Sequence, residues 1–145
     1  MLPGQIRAIA ICILRRHESI LVFEGHDTTK GQTFYRPLGG AIEFGEIGSQ
    51  AAIREIREEI HAEITNLRPI GTLENIFTFE GRPGHEIVLV YEADFADATL
   101  YQETPIIGQE DSGERFPVLW KPLADFAGGQ SPLYPDGLLE LLLNK

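Results

Sequence analysis

The sequence predicts a mixed α/β domain of the α+β kind, and three observations carry that expectation. Strand-like apolar runs, "IRAIAICILRR" and "SILVFEGH", stand at the front of the chain. One amphipathic helical stretch interrupts the strands, and a Leu-rich helical stretch closes the chain after more of them. Strands interrupted by one helix and ended by another indicate a sheet with helices packed on it. The 145 residues, 43% of them hydrophobic and 23% charged, are enough to bury a core, and residues 1–145 read as a single domain.

The first two strands are separated by a turn at Arg15, Arg16, His17 and Glu18. "HDTTKGQ" reads as a polar loop, and "TFYRPL" as a short third strand entering a tight turn at Gly39 and Gly40. A helix is expected from about Ser49 to Ile60, with Ser49 as its N-cap. At about 100° per residue, Ala52, Ile53, Ile56 and Ile60 fall on one stripe. "ITNLRPIGTLENIFTF" and "HEIVLVYEADF" read as strands joined by the turn "EGRPG". Glu103 to Arg115 reads as a loop, "FPVLWKPL" as a last strand, and Asp136 as the cap of the helix "GLLELLLNK".

Composition narrows the function. Twelve basic against 22 acidic residues give a net charge of −10, which argues against binding to a nucleic-acid backbone. A chain this acidic that handles phosphates needs cations as bridges. One cysteine, Cys12, excludes an intramolecular disulfide and sits in an apolar strand, where it is expected to be buried. The only stretch that resembles a signal-peptide core, Ala8 to Leu14, is followed by Arg15 and Arg16 and has no small-residue cleavage site. No apolar run approaches the roughly 20 residues of a membrane span, so the expected location is cytoplasmic. His17, His26 and His85 lie at no ligand spacing and are expected on the solvated surface.

One stretch breaks the local rules. On the central helix, Glu58 lies about 60° to one side of Glu55 and Glu59 about 40° to the other. The three carboxylates therefore share an arc beside the apolar stripe, near the negative end of the helix dipole. Each like-charge pair costs roughly 0.2–0.5 kcal/mol, and negative charge in the last turn adds roughly 0.3–1 kcal/mol. Arg54 and Arg57 relieve part of that, and a solvated helical face remains one reading. Upstream, however, Gly39 and Gly40 offer backbone carbonyls, and Glu43 and Glu46 add oxygens. Such an all-oxygen set suits Mg²⁺ or Mn²⁺.

Gly40, Glu46, Arg54, Glu55, Ile56, Glu58 and Glu59 match the charged positions and spacers of the pattern G-x5-E-x7-R-E-U-x-E-E-x-G-U, where U is aliphatic. The segment resembles the Nudix box. It departs at the last Gly, which is His61 here, and at the final aliphatic position, Ala62; "RPLGG" also replaces the family's usual Pro-Gly-Gly ending. The resemblance implies a Nudix-like fold, a mixed β-sheet sandwiched between helices. It implies hydrolysis, with Mg²⁺ or Mn²⁺, of the pyrophosphate bond in a nucleoside diphosphate derivative, either an ADP-ribose-like nucleotide sugar or a nucleoside triphosphate.

Carried onto this chain, the resemblance makes Glu58 and Glu59 principal metal ligands and Glu55 a further ligand or the base. The Gly39 carbonyl completes the shell, Arg54 orients Glu55, and Glu46 supports Arg54. A further catalytic carboxylate is expected from the loop before the last strand, with Glu114 preferred and Glu110 second. Phe77, Phe79, Tyr101 and Phe116 are options for stacking on a base, though aromatics at strand spacing usually fill cores. Arg36 is placed to meet a phosphate or to make a structural ion pair, and Arg82 is expected in an exposed turn. The implied partner is a small-molecule nucleotide, with no nucleic-acid polymer and no membrane. A homodimer is compatible with the family, and no residue here argues for it. The alternative is a catalytically inactive nucleotide-binding or regulatory module, which predicts loss of Arg54, Glu55, Glu58 or Glu59; all four are present.

Overall fold

A computed structural model describes residues 4–129 and 131–144. Its centre is β1 (Arg7–Arg16), which alternates strictly between two cores. Ala10, Cys12 and Leu14 point into one and Ile9, Ile11 and Ile13 into the other. A strand buried on both faces reads as a continuous apolar run, as this one does.

The remaining strands are β2 (Ser19–Asp27), β3 (Gln32–Arg36), β4 (Leu38–Ala41), β5 (Ile64–Phe79), β6 (Arg82–Phe95), β7 (Ile106–Gln109) and β8 (Arg115–Pro122). The sheet runs β5-β6-β1-β2-β8-β7. β1 pairs with β6 in parallel and with the other neighbours antiparallel, so the sheet is mixed. Only Arg15 and Arg16 of β1 pair with β2; further back, β4 takes β2's place beside β1, and β3 pairs with the outer half of β2. The chain crosses from one half of the sheet to the other at Pro37, between β3 and β4. The two halves part there.

The helix α1 (Gly48–Ile60) lays Ala51, Ala52, Ile56 and Ile60 on the Ala10–Cys12–Leu14 face. The short α2 (Leu138–Leu143) lays Leu138 and Leu142 on the opposite face. The expected sandwich of a mixed sheet between helices is therefore the one observed. Cys12 is buried as expected, 1% exposed, and removal from water pushes its thiol up to about 12.

Several local expectations need correction. Gly39 and Gly40 lie within β4 rather than in a tight turn, paired with Ile11 and Ala10. The N-cap of α1 is Ile47, not Ser49, and its backbone N–H is satisfied by the Gln50 side chain at 3.1 Å. Gly137, in the left-handed region at φ 90°, caps α2 in place of Asp136. The stretch expected as a loop before β8 contains β7, whose Ile106 and Gly108 face inward. His85 is half-buried in β6 instead of solvated, whereas His17 and His26 are exposed. No helix among the described residues is long and apolar enough to cross a membrane.

Candidate active site

The site is assembled where β4, α1 and the β7–β8 turn meet. Gly39 has φ 151°, and a Cβ there would stand 2.2 Å from the Ala10 carbonyl oxygen and 2.7 Å from Ile11 Cα. Only glycine lets β4 lie this close to β1. Its N–H is then free to turn toward α1, where it donates to Glu59 Oε1 at 3.1 Å. Gly40 serves a different neighbour, because a Cβ there would meet the Glu55 carboxylate at 2.7 Å.

Arg54 organises the acidic side chains. Its Nε and Nη2 donate to the two carboxylate oxygens of Glu46 at 2.8 and 2.9 Å, and Nη2 also donates to the Ala41 carbonyl at 2.9 Å. That fork fixes the guanidinium plane. Nη1 is thereby aimed at Glu55 Oε1, 2.9 Å away, with Glu58 at 3.4 Å. Arg54 holds the Glu46 carboxyl down to about 2. In return Glu46, ahead of Glu55, pushes the Arg54 guanidinium upward.

The other carboxylates move the opposite way. Burial, then the charge of Glu55, pushes Glu59 up to about 8, despite its bond from Gly39. Burial also raises Glu55, with Arg54 opposing it. Glu55, Glu58 and Glu59 line a cleft of about 340 Å³ together with Gln109 at the end of β7 and Glu110 and Asp111 of the β7–β8 turn. Among the described residues no three acidic, His or Cys side chains are already gathered closely enough to hold a metal ion. Arg54 and the Gly39 amide instead draw Glu55, Glu58 and Glu59 toward protein donors. The donor set still fits a divalent cation: the carboxylates of Glu55, Glu58 and Glu59 line one cleft with Glu110 and Asp111, an all-oxygen set.

Of the anticipated residues, Gly39, Gly40, Glu46, Arg54, Glu55, Glu58 and Glu59 come together. Glu114 does not line the cleft; it sits exposed in the turn, its backbone carbonyl accepting from Glu110 N–H at 2.8 Å. Glu110 does line it, as does Asp111, which the sequence reading missed. Tyr101 is structural, stacked on Trp120 and accepting the Phe95 N–H through its hydroxyl at 2.9 Å. Phe116 packs edge-on against Phe23. Phe77, Phe79 and Arg36 line a second cavity, together with Arg82. His61 adopts the left-handed conformation, φ 54° and ψ 37°, and its N–H bonds to the Arg57 carbonyl at 3.0 Å. It closes α1 in the conformation that glycine usually supplies.

Residues 4–137 match the family model described as NUDIX domain. The NAD-capped RNA hydrolase NudC of Pectobacterium atrosepticum is 33% identical over 96 residues, which are 66% of this chain and 34% of that protein. The chain thus spans about a third of that relative's length. Among solved structures, a MutT NUDIX hydrolase from Burkholderia pseudomallei superposes with a TM-score of 0.68 at 21% identity, covering 96% of this chain and 98% of that one. An ADP compounds hydrolase superposes with a TM-score of 0.64 at 16% identity, covering 98% and 73%.

Proposed function

Because the chain belongs to the Nudix family of hydrolases, we propose that it cleaves the pyrophosphate bond of a small nucleoside diphosphate derivative with Mg²⁺ or Mn²⁺. The observation that carries this reading is the Arg54 network, which ties Glu46 and Glu55 to one guanidinium beside Glu58 and Glu59. A plain solvated helix face has no use for so exact a fork, and an inactive module has no need to retain every member.

In this reading Glu58, Glu59 and the Gly39 carbonyl hold the cation, and Glu55 completes the set or takes the proton from the attacking water. A bound divalent ion supplies charge for the pyrophosphate oxygens and lowers the pKa of a bound water. The raised carboxyl of Glu55 suits a proton acceptor. Arg54 keeps Glu55 in one orientation, and Glu46 keeps Arg54 in place, so the contribution of these two is positioning. Glu110 and Asp111 line the cleft, which supports them over Glu114 as the loop carboxylate.

The RNA in the name of the NudC relative belongs to that relative. A net charge of −10 favours a small nucleotide over a polymer here. ADP-ribose, dNTPs and dinucleoside polyphosphates, assayed with Mg²⁺ and with Mn²⁺ for phosphate-containing products, test the proposal. Hydrolysis of at least one is expected, with Glu58→Gln lowering the rate by at least about 10- to 100-fold. Silence across the panel, or full activity in Glu58→Gln, refutes it and leaves the binding module.

A further inference from the structure

Among the described residues seven large apolar side chains are exposed, and four of them, Ile6, Phe44, Ile47 and Ile76, gather on one face of the molecule. The sheet register places them there. Ala8 stands two residues before Ala10, which points toward α1, and it lies beside Ile87 of β6. The Ile42 N–H donates to the Ala8 carbonyl at 2.9 Å, which brings the end of β4 alongside. One step outward, Ile76 of β5 lies opposite His85 of β6, and Ile6 immediately precedes β1. Opposite residues, and residues two apart on a strand, share a face. The helix does not reach this part of the sheet. A Cβ on Gly48, the first residue of α1, would meet Leu89 and Tyr91, so α1 starts over those two and leaves Ile87 and His85 half-buried and Ala8 exposed.

The loop from β4 to α1 adds a projection beside this apolar floor. The Glu46 N–H closes a turn on the Glu43 carbonyl at 3.0 Å, Gly45 takes φ 86°, and Phe44 stands at the tip, fully exposed. Ile47 follows as the N-cap of α1, 64% exposed. Its side chain cannot accept a hydrogen bond, so the helix forgoes the cap bond that Ser, Thr, Asp or Asn would make. One loop thus leaves an aromatic ring in water and gives up a cap. Local rules broken together in one place mark a functional surface.

The area matches what a dimer needs. A phenylalanine buries roughly 150–250 Å². Ile6, Ile47 and Ile76, 61 to 72% exposed, add roughly 40–80 Å² each. With Ala8 and Ile87 the face offers on the order of 400–500 Å² of apolar surface. Half of a standard interface covers about 800 Å², and with about 56–65% of it apolar it needs roughly 450–520 Å². The shape is also self-complementary. A projection stands beside a shallow floor whose middle residue, Ala8, is small, and a two-fold axis sets each projection on the other copy's floor. A net charge of −10 disfavours an anionic membrane surface as the occupant.

We infer that this face is the interface of a symmetric homodimer, in which Phe44 of each copy packs on Ile6, Ala8 and Ile87 of the other. None of these residues lines the cleft of Glu55, Glu58 and Glu59, so dimerisation and hydrolysis stand or fall separately.

Sedimentation velocity of the full chain over a concentration series is expected to show a monomer–dimer equilibrium with a Kd of roughly micromolar or lower, as interfaces of this size have. Added salt is expected to tighten it, because two chains of −10 repel and the contact is apolar. Phe44→Ser and Ala8→Gln are each expected to raise the Kd at least about 30-fold, as loss of a central anchor does. Ile107→Ser, at an exposed apolar residue of β7, should leave it unchanged. An equal mixture of the Phe44→Ser and Ala8→Gln chains is expected to dimerise more tightly than either alone, because one of the two symmetric contacts is then intact. A chain that stays monomeric at many times micromolar concentration overturns the inference and leaves the face to a different protein. So does a dimer that Phe44→Ser leaves intact, a dimer that loosens in salt, or a mixture no tighter than its components. Should Ala8→Gln fail to fold, Phe44→Ser, at the tip of a solvent-exposed turn, decides.

Discussion

Gly39 and Gly40 are adjacent, yet the structure gives them different duties, and replacing each by alanine separates folding from chemistry. At Gly39 the added methyl group meets main chain, the Ala10 carbonyl oxygen at 2.2 Å and Ile11 Cα at 2.7 Å, at a φ of 151°. Neither neighbour can rotate away, so β4 must move off β1. Overpacking costs roughly 1–3 kcal/mol, and the forced backbone conformation roughly another 1–3 kcal/mol. Gly39→Ala is therefore expected to lose about 4 kcal/mol, a large share of the roughly 5–15 kcal/mol that a domain possesses.

At Gly40 the methyl group meets only the end of the flexible Glu55 side chain, at 2.7 to 2.8 Å. Glu55 can swing aside, giving up its 2.9 Å bond from Arg54. The stability loss should stay within about 1 kcal/mol, the net worth of one such bond. A displaced carboxylate is another matter for the reaction, where an error of about 1 Å costs on the order of 100-fold. Urea unfolding of both variants, beside hydrolysis rates on whichever substrate the panel identifies, reads both effects. With a slope of roughly 2 kcal/mol per molar, Gly39→Ala should unfold about 2 M earlier and Gly40→Ala within about 0.5 M of wild type. A Gly39→Ala protein as stable as wild type, or a Gly40→Ala protein with an undiminished rate, would refute the argument.

Glu46 is held near 2 by Arg54 against an ordinary value of 4.5. A depressed folded value stabilises above the unfolded pKa and is lost as pH falls from about 4.5 toward 2, so Glu46→Gln should flatten the acid limb of a plot of Tm against pH. His61→Gly should raise stability by about 0.5–1 kcal/mol in urea, since glycine takes the left-handed conformation of φ 54° without strain. A stability unchanged or lowered would mean the His61 ring makes compensating contacts. Cys12, 1% exposed and with its thiol pushed up to about 12, should resist iodoacetamide at pH 8 until denaturant unfolds the chain. Labelling of the native protein at the rate of a free thiol would contradict the burial.

What could be read from the sequence was what depends on spacing along one element. Glu55, Glu58 and Glu59 share an arc because a helix has 3.6 residues per turn, and Arg54 to Glu46 needs only a short turn before that helix. The Leu-rich helix and the doubly buried first strand follow in the same way from local periodicity. The parts that stayed hidden depend on which strands become neighbours. Asp111 reaches the cleft only because four residues, Ile106–Gln109, pair with β8, and a run containing Gly and Gln gives little strand signal. Asn75 and Glu86 meet through a β5–β6 ladder whose register shifts twice, between Thr65 and Arg68 and between Pro69 and Gly71. Each polar residue alone reads as the solvated side of a strand. Only the long-range pairing turns them into a buried row, so the carboxylate cluster of this protein is written locally and its second cavity in the topology.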